Sequence, residues 1–413
     1  MDLPADLDPA SLDAADPLAP FRDRFVPTEP GLVYLDGNSL GRPTKAALER
    51  VAALTETWST RLIRAWDEGW LELPLVVGDQ LATGVLGAEP GTVVVTDSTT
   101  VNLYRLAVAA LGARPGRRTI VVERSEFPTD RYIVEGLARD RDLQIRWLDG
   151  DPVEGLSTEA VAAAFGPDTA LLILSAVNYR SATIVDLRAV TDAARDAGAL
   201  VLWDLSHAAG SIPVNLAANG VDLAVGCTYK FLNGGPGAPA FLYVRRELQG
   251  ELRPPIQGWF AQSEQFEMGP AFRPRDGIGG WLTGTPGILG LTAAQAGIEL
   301  VAEAGIDAIR AKGIALTEYA IAIVDAWLIP LDCTLGAPRD AARRGNQLSI
   351  RHRDARRLTS ALEERNVIPD FRAPDSIRIG LSPLTTSFAD VHRGISVLRE
   401  LLEGRGGAPE PRD

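Results

Sequence analysis

Lysine is almost missing from this 413-residue chain: of its 41 basic residues, only Lys45, Lys230 and Lys312 are not arginine. Cysteine is as rare. Cys227 and Cys333 stand far apart, outside any CxxC or Cys/His cluster, which excludes a disulfide framework and a zinc site of the usual spacing. Both read as small buried apolar residues. The three histidines, His207, His352 and His392, are too scattered to suggest a metal set. No run of ~20 apolar residues occurs, so no membrane span is expected. Acid outweighs base, 54 residues to 41, and the net charge of -13 with no basic stripe argues against nucleic acid as a partner. The opening MDLPADLDPASLDAADPLAP is acidic and proline-rich, the reverse of a secretory leader, and points to the cytoplasm.

What is present is a repeating pattern. From about Gly87 to Val244, short β-branched runs (TVVVTD, RTIVVE, ALLILSAVN, ALVLWDLS, LAVGCTY, PAFLYV) alternate with amphipathic stretches such as VNLYRLAVAALGA and DLRAVTDAARDAG. Strand and helix in alternation predict an α/β fold whose mostly parallel sheet is covered by helices on both faces. Ligands in such sheets sit beyond the carboxyl ends of the strands, where Asp97, Glu126, Asn178, Asp204 and Tyr229 fall. From about residue 287, long helical stretches, then NQLSIRH and SIRIGLSP around RRLTSALEERNV, predict a smaller α+β domain closed by FADVHRGISVLRELLEG. The expected division is an N-terminal segment over 1–79 packing back on the rest, a large domain over 80–286 and a small one over 287–413, with the tail GRGGAPEPRD disordered.

The lysines sort by their surroundings. Lys45 in RPTKAALER and Lys312 in IRAKGIA read as surface turns or helix ends, whereas Lys230 sits in the apolar, glycine-rich GCTYKFLNGGPG. One strand earlier, WDLSHAAG places Asp204 at a strand end. An amine to capture an aldehyde and a carboxylate to keep a pyridine nitrogen protonated are the two groups that pyridoxal 5′-phosphate requires. After TVVVT, Asp97-Ser98-Thr99-Thr100 opens a helix, where free backbone amides, hydroxyls and the helix dipole suit a phosphate. Each feature has a plainer reading, as a half-exposed lysine or an ordinary N-cap. Their joint presence favours the cofactor. Phe127 in FPTD can set a ring over it, and the glycines at 234, 235 and 237 let the backbone turn tightly beside the lysine.

The segments YLDGNSLGRP, VVVTDSTTVNLY, EFPTDRYI, WDLSHAAGSIPV, GCTYKFLNGGPGAPAFLYV, GWFAQ, LTGTP and SIRIGLSPLTTSF, in this order from about Tyr34 onward, resemble kynureninase. The resemblance implies a homodimeric pyridoxal phosphate enzyme of the aspartate aminotransferase fold (fold type I). Such an enzyme cleaves L-kynurenine, or its 3-hydroxy form, to anthranilate or 3-hydroxyanthranilate and L-alanine. By matching position, Lys230 would bind the cofactor aldehyde, Asp204 the pyridine nitrogen, and His207 would support that end of the ring. Thr99, Thr100 and Tyr229 would hold the phosphate together with the partner subunit's Trp259. Phe127 would stack on the ring, with Asp130 and Ser175 as further contacts and Thr285 reaching across the dimer. Lys230 and Tyr229 would move protons, and Arg378, with Asn38 and Trp66, would contact the substrate.

The pattern departs from that family at six places: Ala176 stands for histidine, Ala182 for glycine, Gln262 for histidine, Gly280 for arginine, Trp281 for another aromatic and Thr385 for tyrosine. These changes concern the substrate's aromatic end and leave the cofactor residues in place. The alternative readings are a related enzyme acting on another β-substituted amino acid, an aminotransferase, or a non-catalytic protein that binds the cofactor. Cysteine desulfuration is disfavoured because neither cysteine lies in an evident mobile polar loop.

Overall fold

The computed structural model describes residues 8–404; the tail expected to be disordered lies, beyond Gly404, outside them. The N-terminal part contains α1 (Pro9–Ala14), strand β1 (Val33–Tyr34), α2 (Lys45–Arg61) and α3 (Leu73–Leu81). Seven strands then form the main sheet: β2 (Val93–Val95), β3 (Thr119–Glu123), β4 (Gln144–Leu148), β5 (Thr169–Ser175), β6 (Leu200–Asp204), β7 (Leu223–Gly226) and β8 (Phe241–Val244). Their spatial order is β2-β8-β7-β6-β5-β3-β4, and only β8 runs against its neighbours. The helices between them are α4 (Thr99–Gly112), α5 (Pro128–Arg141), α6 (Thr158–Ala163) and α7 (Leu187–Asp196).

Both faces of the sheet are apolar, which is why the strands read as continuous hydrophobic runs. Successive side chains of a strand point to opposite faces. Val93, Val121, Leu172, Val201 and Ala224 accordingly join one core with residues of α3, α7 and α8 (Ile288–Ala304). Val94, Val122, Leu171, Leu202 and Val225 join the other, with Leu103 and Leu106 of α4 and Val134 and Leu137 of α5. Strand β4 is not among the predicted runs. It is the sheet's edge, half-exposed along its length and carrying Gln144 and Arg146, so it lacks the apolar signature of the strands inside.

A third core lies under α9 (Ile306–Trp327), α10 (Ala355–Glu363) and α11 (Phe388–Leu402). Against it sit β9 (Thr334–Leu335), β10 (Gln347–Arg351), β12 (Asp370–Arg372) and β13 (Ser376–Gly380), an antiparallel sheet in the order β12-β13-β10-β9. Strand β11 (Val367–Ile368) pairs instead with β1 in parallel, which ties the N-terminal part to this sheet's side. At its other end the N-terminal part packs α2 on α8, and α3 on both β2 and α8.

One expectation fails here. Lys312 is not at the surface: it is buried in α9, and its ammonium meets the buried Asp16 carboxylate at 2.6 Å. Lys45 is exposed at the start of α2, behind the Thr44 cap, as expected.

Candidate active site

A cavity of about 230 Å³ opens beyond the carboxyl ends of the main strands. Lys230 and Asp204 both face it, together with Asp97, Ser98, Thr99, Thr100, Phe127, Asp130, Ser175, His207 and Tyr229. The lysine ammonium lies 3.4 and 3.5 Å from the two His207 ring nitrogens and 5.8 Å from the centre of the Phe127 ring. Two flat rings thus flank the space into which the amine projects. Burial, and then the positive charges of Lys230 and Arg378, hold His207 well below its usual range, so its imidazole is neutral at neutral pH.

Gly41 lies behind the Tyr229–Lys230 segment. The Gly41 amide donates to the Tyr229 carbonyl at 2.7 Å. The Tyr229 phenol is pushed up by burial and then by neighbouring Cys227, which keeps it protonated and able to donate.

Three carboxyls meet beneath the cavity. Asp204, at the end of β6, accepts from the Ser206 amide at 2.7 Å. Asp130 is fully buried and neither of its oxygens accepts a hydrogen bond among the described residues. Burial and the nearby Asp204 and Glu126 push it well above the carboxylate range, so it is the neutral partner of Asp204. Glu126 accepts from the Ser175 amide at 2.7 Å and from the Ser175 hydroxyl, and burial followed by Glu123 pushes it up to about 8. At neutral pH Asp130 and Glu126 therefore carry their protons beside Asp204.

At the opposite wall, Ser98 caps α4 by accepting from the Val101 amide at 3.4 Å, which leaves Thr99 and Thr100 in the first turn facing the cavity. Asp97 has the left-handed φ of 52° that brings the chain round from β2. Its carboxylate is held by the buried Arg105 of α4 and by the Thr283 hydroxyl at 3.1 and 3.2 Å. The turn is thereby fixed from two sides. An amine, a carboxylate, two flanking rings and a helix N-terminus around one space fit pyridoxal 5′-phosphate part by part.

Not every expected residue reaches this cavity. Trp259 is 44 % exposed and donates its indole N–H to the Gln265 carbonyl, while Thr285 is exposed on the loop before α8. Trp66 packs edge-on against Trp70 and near Phe260, half-buried. Arg378 and Asn38 are buried behind Tyr179, whose carbonyl accepts from Arg378 at 2.8 Å. None of the six departures lines the cavity. Trp281 is a core residue whose carbonyl accepts from Arg105, and Gln262 accepts from the Arg273 amide. Tyr179, which lines the cavity and meets Phe127 edge-on at 5.3 Å, is a site residue that sequence reasoning misses. Its only sequence signal is its place one residue after Asn178, at a strand end.

The C-terminal third carries a match to the kynureninase C-terminal domain over residues 309–398. Nearly the whole chain, 95 %, aligns at 41 % identity with 94 % of the kynureninase of Pseudomonas fluorescens, and to the same extent with that of Burkholderia pseudomallei strain 1106a. The chain belongs to the kynureninase family. Solved structures of the same fold include an apo cysteine desulfurase from Thermococcus onnurineus NA1, at a TM-score of 0.80 and 18 % identity over 93 % of this chain and 98 % of that one. They also include a lysine-to-alanine mutant of C-DES with glycine covalently linked to its cofactor, at 0.81 and 20 % over 92 % and 99 %. These fix the architecture as fold type I. Pyridoxal 5′-phosphate is the family's cofactor, and the cavity holds the side chains to receive it.

Proposed function

We propose that this protein hydrolyses L-kynurenine or 3-hydroxy-L-kynurenine to the corresponding anthranilate and L-alanine. The observation that carries the proposal is the placement of Lys230 between the Phe127 and His207 rings, above Asp204 and opposite the α4 N-terminus, in a chain of this family. Bound there, pyridoxal phosphate supplies an electron sink that lowers the cost of charge at the substrate's Cα and Cβ.

The chain's own groups do the rest. Lys230 would anchor the cofactor by its aldehyde, and its amine is placed to move a proton from the substrate Cα. Asp204, at the end of β6 beside the protonated Asp130 and Glu126, would pair with the ring nitrogen. Thr99, Thr100, Tyr229 and the α4 amides would bind the phosphate, with Ser175 held against Glu126 below. Water adds to the side-chain ketone, the Cβ–Cγ bond breaks, and the protonated Tyr229 phenol returns a proton to Cβ. Arg378 takes the α-carboxylate, with Asn38 fixing its Nε edge.

The protein works, in this reading, as a cytoplasmic homodimer. The exposure of Trp259 and Thr285 away from their own cavity supports it, because each is free to complete the cavity of a second copy. The cavity bounded by one chain is also small beside the ~300–1,000 Å³ of a typical small-molecule site. No helix among the described residues is long and apolar enough to cross a membrane.

The deciding experiment follows both substrates by absorbance in the presence of pyridoxal phosphate, with chromatography for the aromatic acid and L-alanine. Release of both products is expected. Binding of the cofactor with neither substrate cleaved would move the protein to another β-substituted amino acid. Lys230→Ala should abolish the visible absorption of the lysine-bound cofactor and lower kcat by ~100-fold or more; a variant that keeps the band removes Lys230 from the site.

A further inference from the structure

Arg378 has fewer free donors than its proposed role requires. A guanidinium offers five N–H donors. With the Asn38 amide oxygen turned toward it, Nε donates to Asn38 at 3.0 Å. Nη1 donates to the Tyr179 carbonyl at 2.8 Å, and Nη2 to the Ser39 hydroxyl at 2.9 Å and to the Asp370 carboxylate. One Nη1 hydrogen remains. A two-pronged hold on a carboxylate uses two neighbouring donors, so at least one protein acceptor has to let go when substrate binds.

The acceptors are not equivalent. Three are neutral; Asp370 alone carries the charge and the functional group of the ligand itself. Asp370 on β12 stands directly opposite Arg378 in the antiparallel register with β13, so the sheet sets their spacing. Two residues along the same strand, and therefore on the same face, Arg372 reaches the same Asp370 oxygen at 2.6 Å. One carboxylate oxygen is thus shared by two guanidinium groups. Losing Arg378 would leave Asp370 paired with Arg372, and Arg378 paired with the incoming carboxylate, with no buried charge stranded at either step.

We propose that Asp370 is the resident counter-ion of Arg378, that the substrate α-carboxylate displaces it, and that Arg372 receives it, which makes Asp370 and Arg372 specificity-determining residues for carboxylate-bearing substrates. The proposal rests on Arg378 as the carboxylate-binding residue. A ligand without a carboxylate cannot offset the separation of Asp370 from Arg378, so an amide or ester leaves that pair in place and gains nothing from Arg378.

The test uses the holoenzyme, with KM and kcat for L-kynurenine and with the affinities of L-alanine and L-alaninamide read from the cofactor's visible absorption. Asp370→Asn removes the competitor and should lower KM and the L-alanine Kd several-fold, the change falling on KM rather than kcat, while the L-alaninamide affinity rises by no more than that of L-alanine. Arg372→Gln leaves Asp370 entirely to Arg378 and should raise both constants. Opposite signs are the signature, since a merely structural role would shift the two variants in the same direction. Shifts of one sign, or no shift in either, would overturn the proposal. If Asp370→Asn does not fold, as judged by its melting curve, Arg372→Gln decides alone: an unchanged or lowered L-alanine Kd sinks the exchange. Arg378→Ala tests the underlying reading separately, because an unchanged KM there removes Arg378 from the site whatever Asp370 does.

Discussion

Gly41 lies against the backbone of Lys230 so closely that a Cβ on it would stand 2.2 Å from the Lys230 carbonyl oxygen and 2.5 Å from Asn233 Oδ1. The N-terminal chain is therefore a wall of the site, and glycine is what lets it close. Gly41→Ala must push the two backbones apart and break the Gly41–Tyr229 hydrogen bond, at a cost of about 1–3 kcal/mol. Chemical denaturation should show that loss. Cofactor affinity should fall with it, since Tyr229 and Lys230 move together; a variant with wild-type stability and affinity would mean that the wall yields without consequence.

Ala182 adopts a left-handed backbone, φ 63°, in the turn between β5 and α7. Its amide donates to Asn178 and its carbonyl accepts from Gly345, so the turn cannot relax out of that conformation. An L-residue there costs ~1–2 kcal/mol, against which glycine's greater freedom in the unfolded chain weighs ~0.5–1 kcal/mol. Ala182→Gly should stabilise the protein by about 0.5–1 kcal/mol, measured by urea unfolding. A loss of stability would show that the alanine methyl packs better than its backbone is strained.

The sequence made the large sheet legible because its inner strands are apolar on both faces, and it made Lys230 and Asp204 legible because each follows such a strand. What it hid arises from pairing across distance. Glu126 reads only as one of the polar residues at the strand ends until β3 and β5 lie side by side and place it on Ser175. Arg378 reads as an isolated substrate ligand until the register with β12 sets Asp370 opposite it. The same is true of Lys312, whose partner lies 296 residues away. Ala182 is the reverse case: a departure noticed from resemblance has a backbone geometry that explains why glycine belongs there.

Glu126 gives a pH dependence with a definite sign. Its folded-state value of about 8 lies above the ordinary 4.5, so the folded state binds its proton more tightly than the unfolded state does. That contribution to stability is complete below about pH 4.5 and is lost progressively as pH rises toward 8. Glu126→Gln keeps the neutral form's shape and removes the titration. Its stability should therefore improve relative to wild type between about pH 5 and about pH 8, in melts of the cofactor-free protein. Parallel stability profiles for the two proteins would show that Glu126 is ionised in the fold.

The buried pair of Lys312 and Asp16 pins the N-terminal chain to α9, with Arg22 also on Asp16 at 3.2 Å. Its side chains are 4 % and 1 % exposed, so neither charge has water to fall back on. Asp16→Ala strands the ammonium in the interior and should cost about 3–5 kcal/mol, as breaking a buried pair from one side does. Arg22 is 27 % exposed and lies 3.5 Å from Asp13, so it retains a partner and access to solvent. Replacing both members, Asp16→Leu with Lys312→Met, removes the desolvation of two charges together and should recover most of that loss. A double-mutant cycle of Asp16→Leu, Lys312→Met and the two together, by denaturant unfolding, measures the coupling. Additive losses would show that the two charges are solvated independently, and that this contact holds the N-terminal chain less than its packing does.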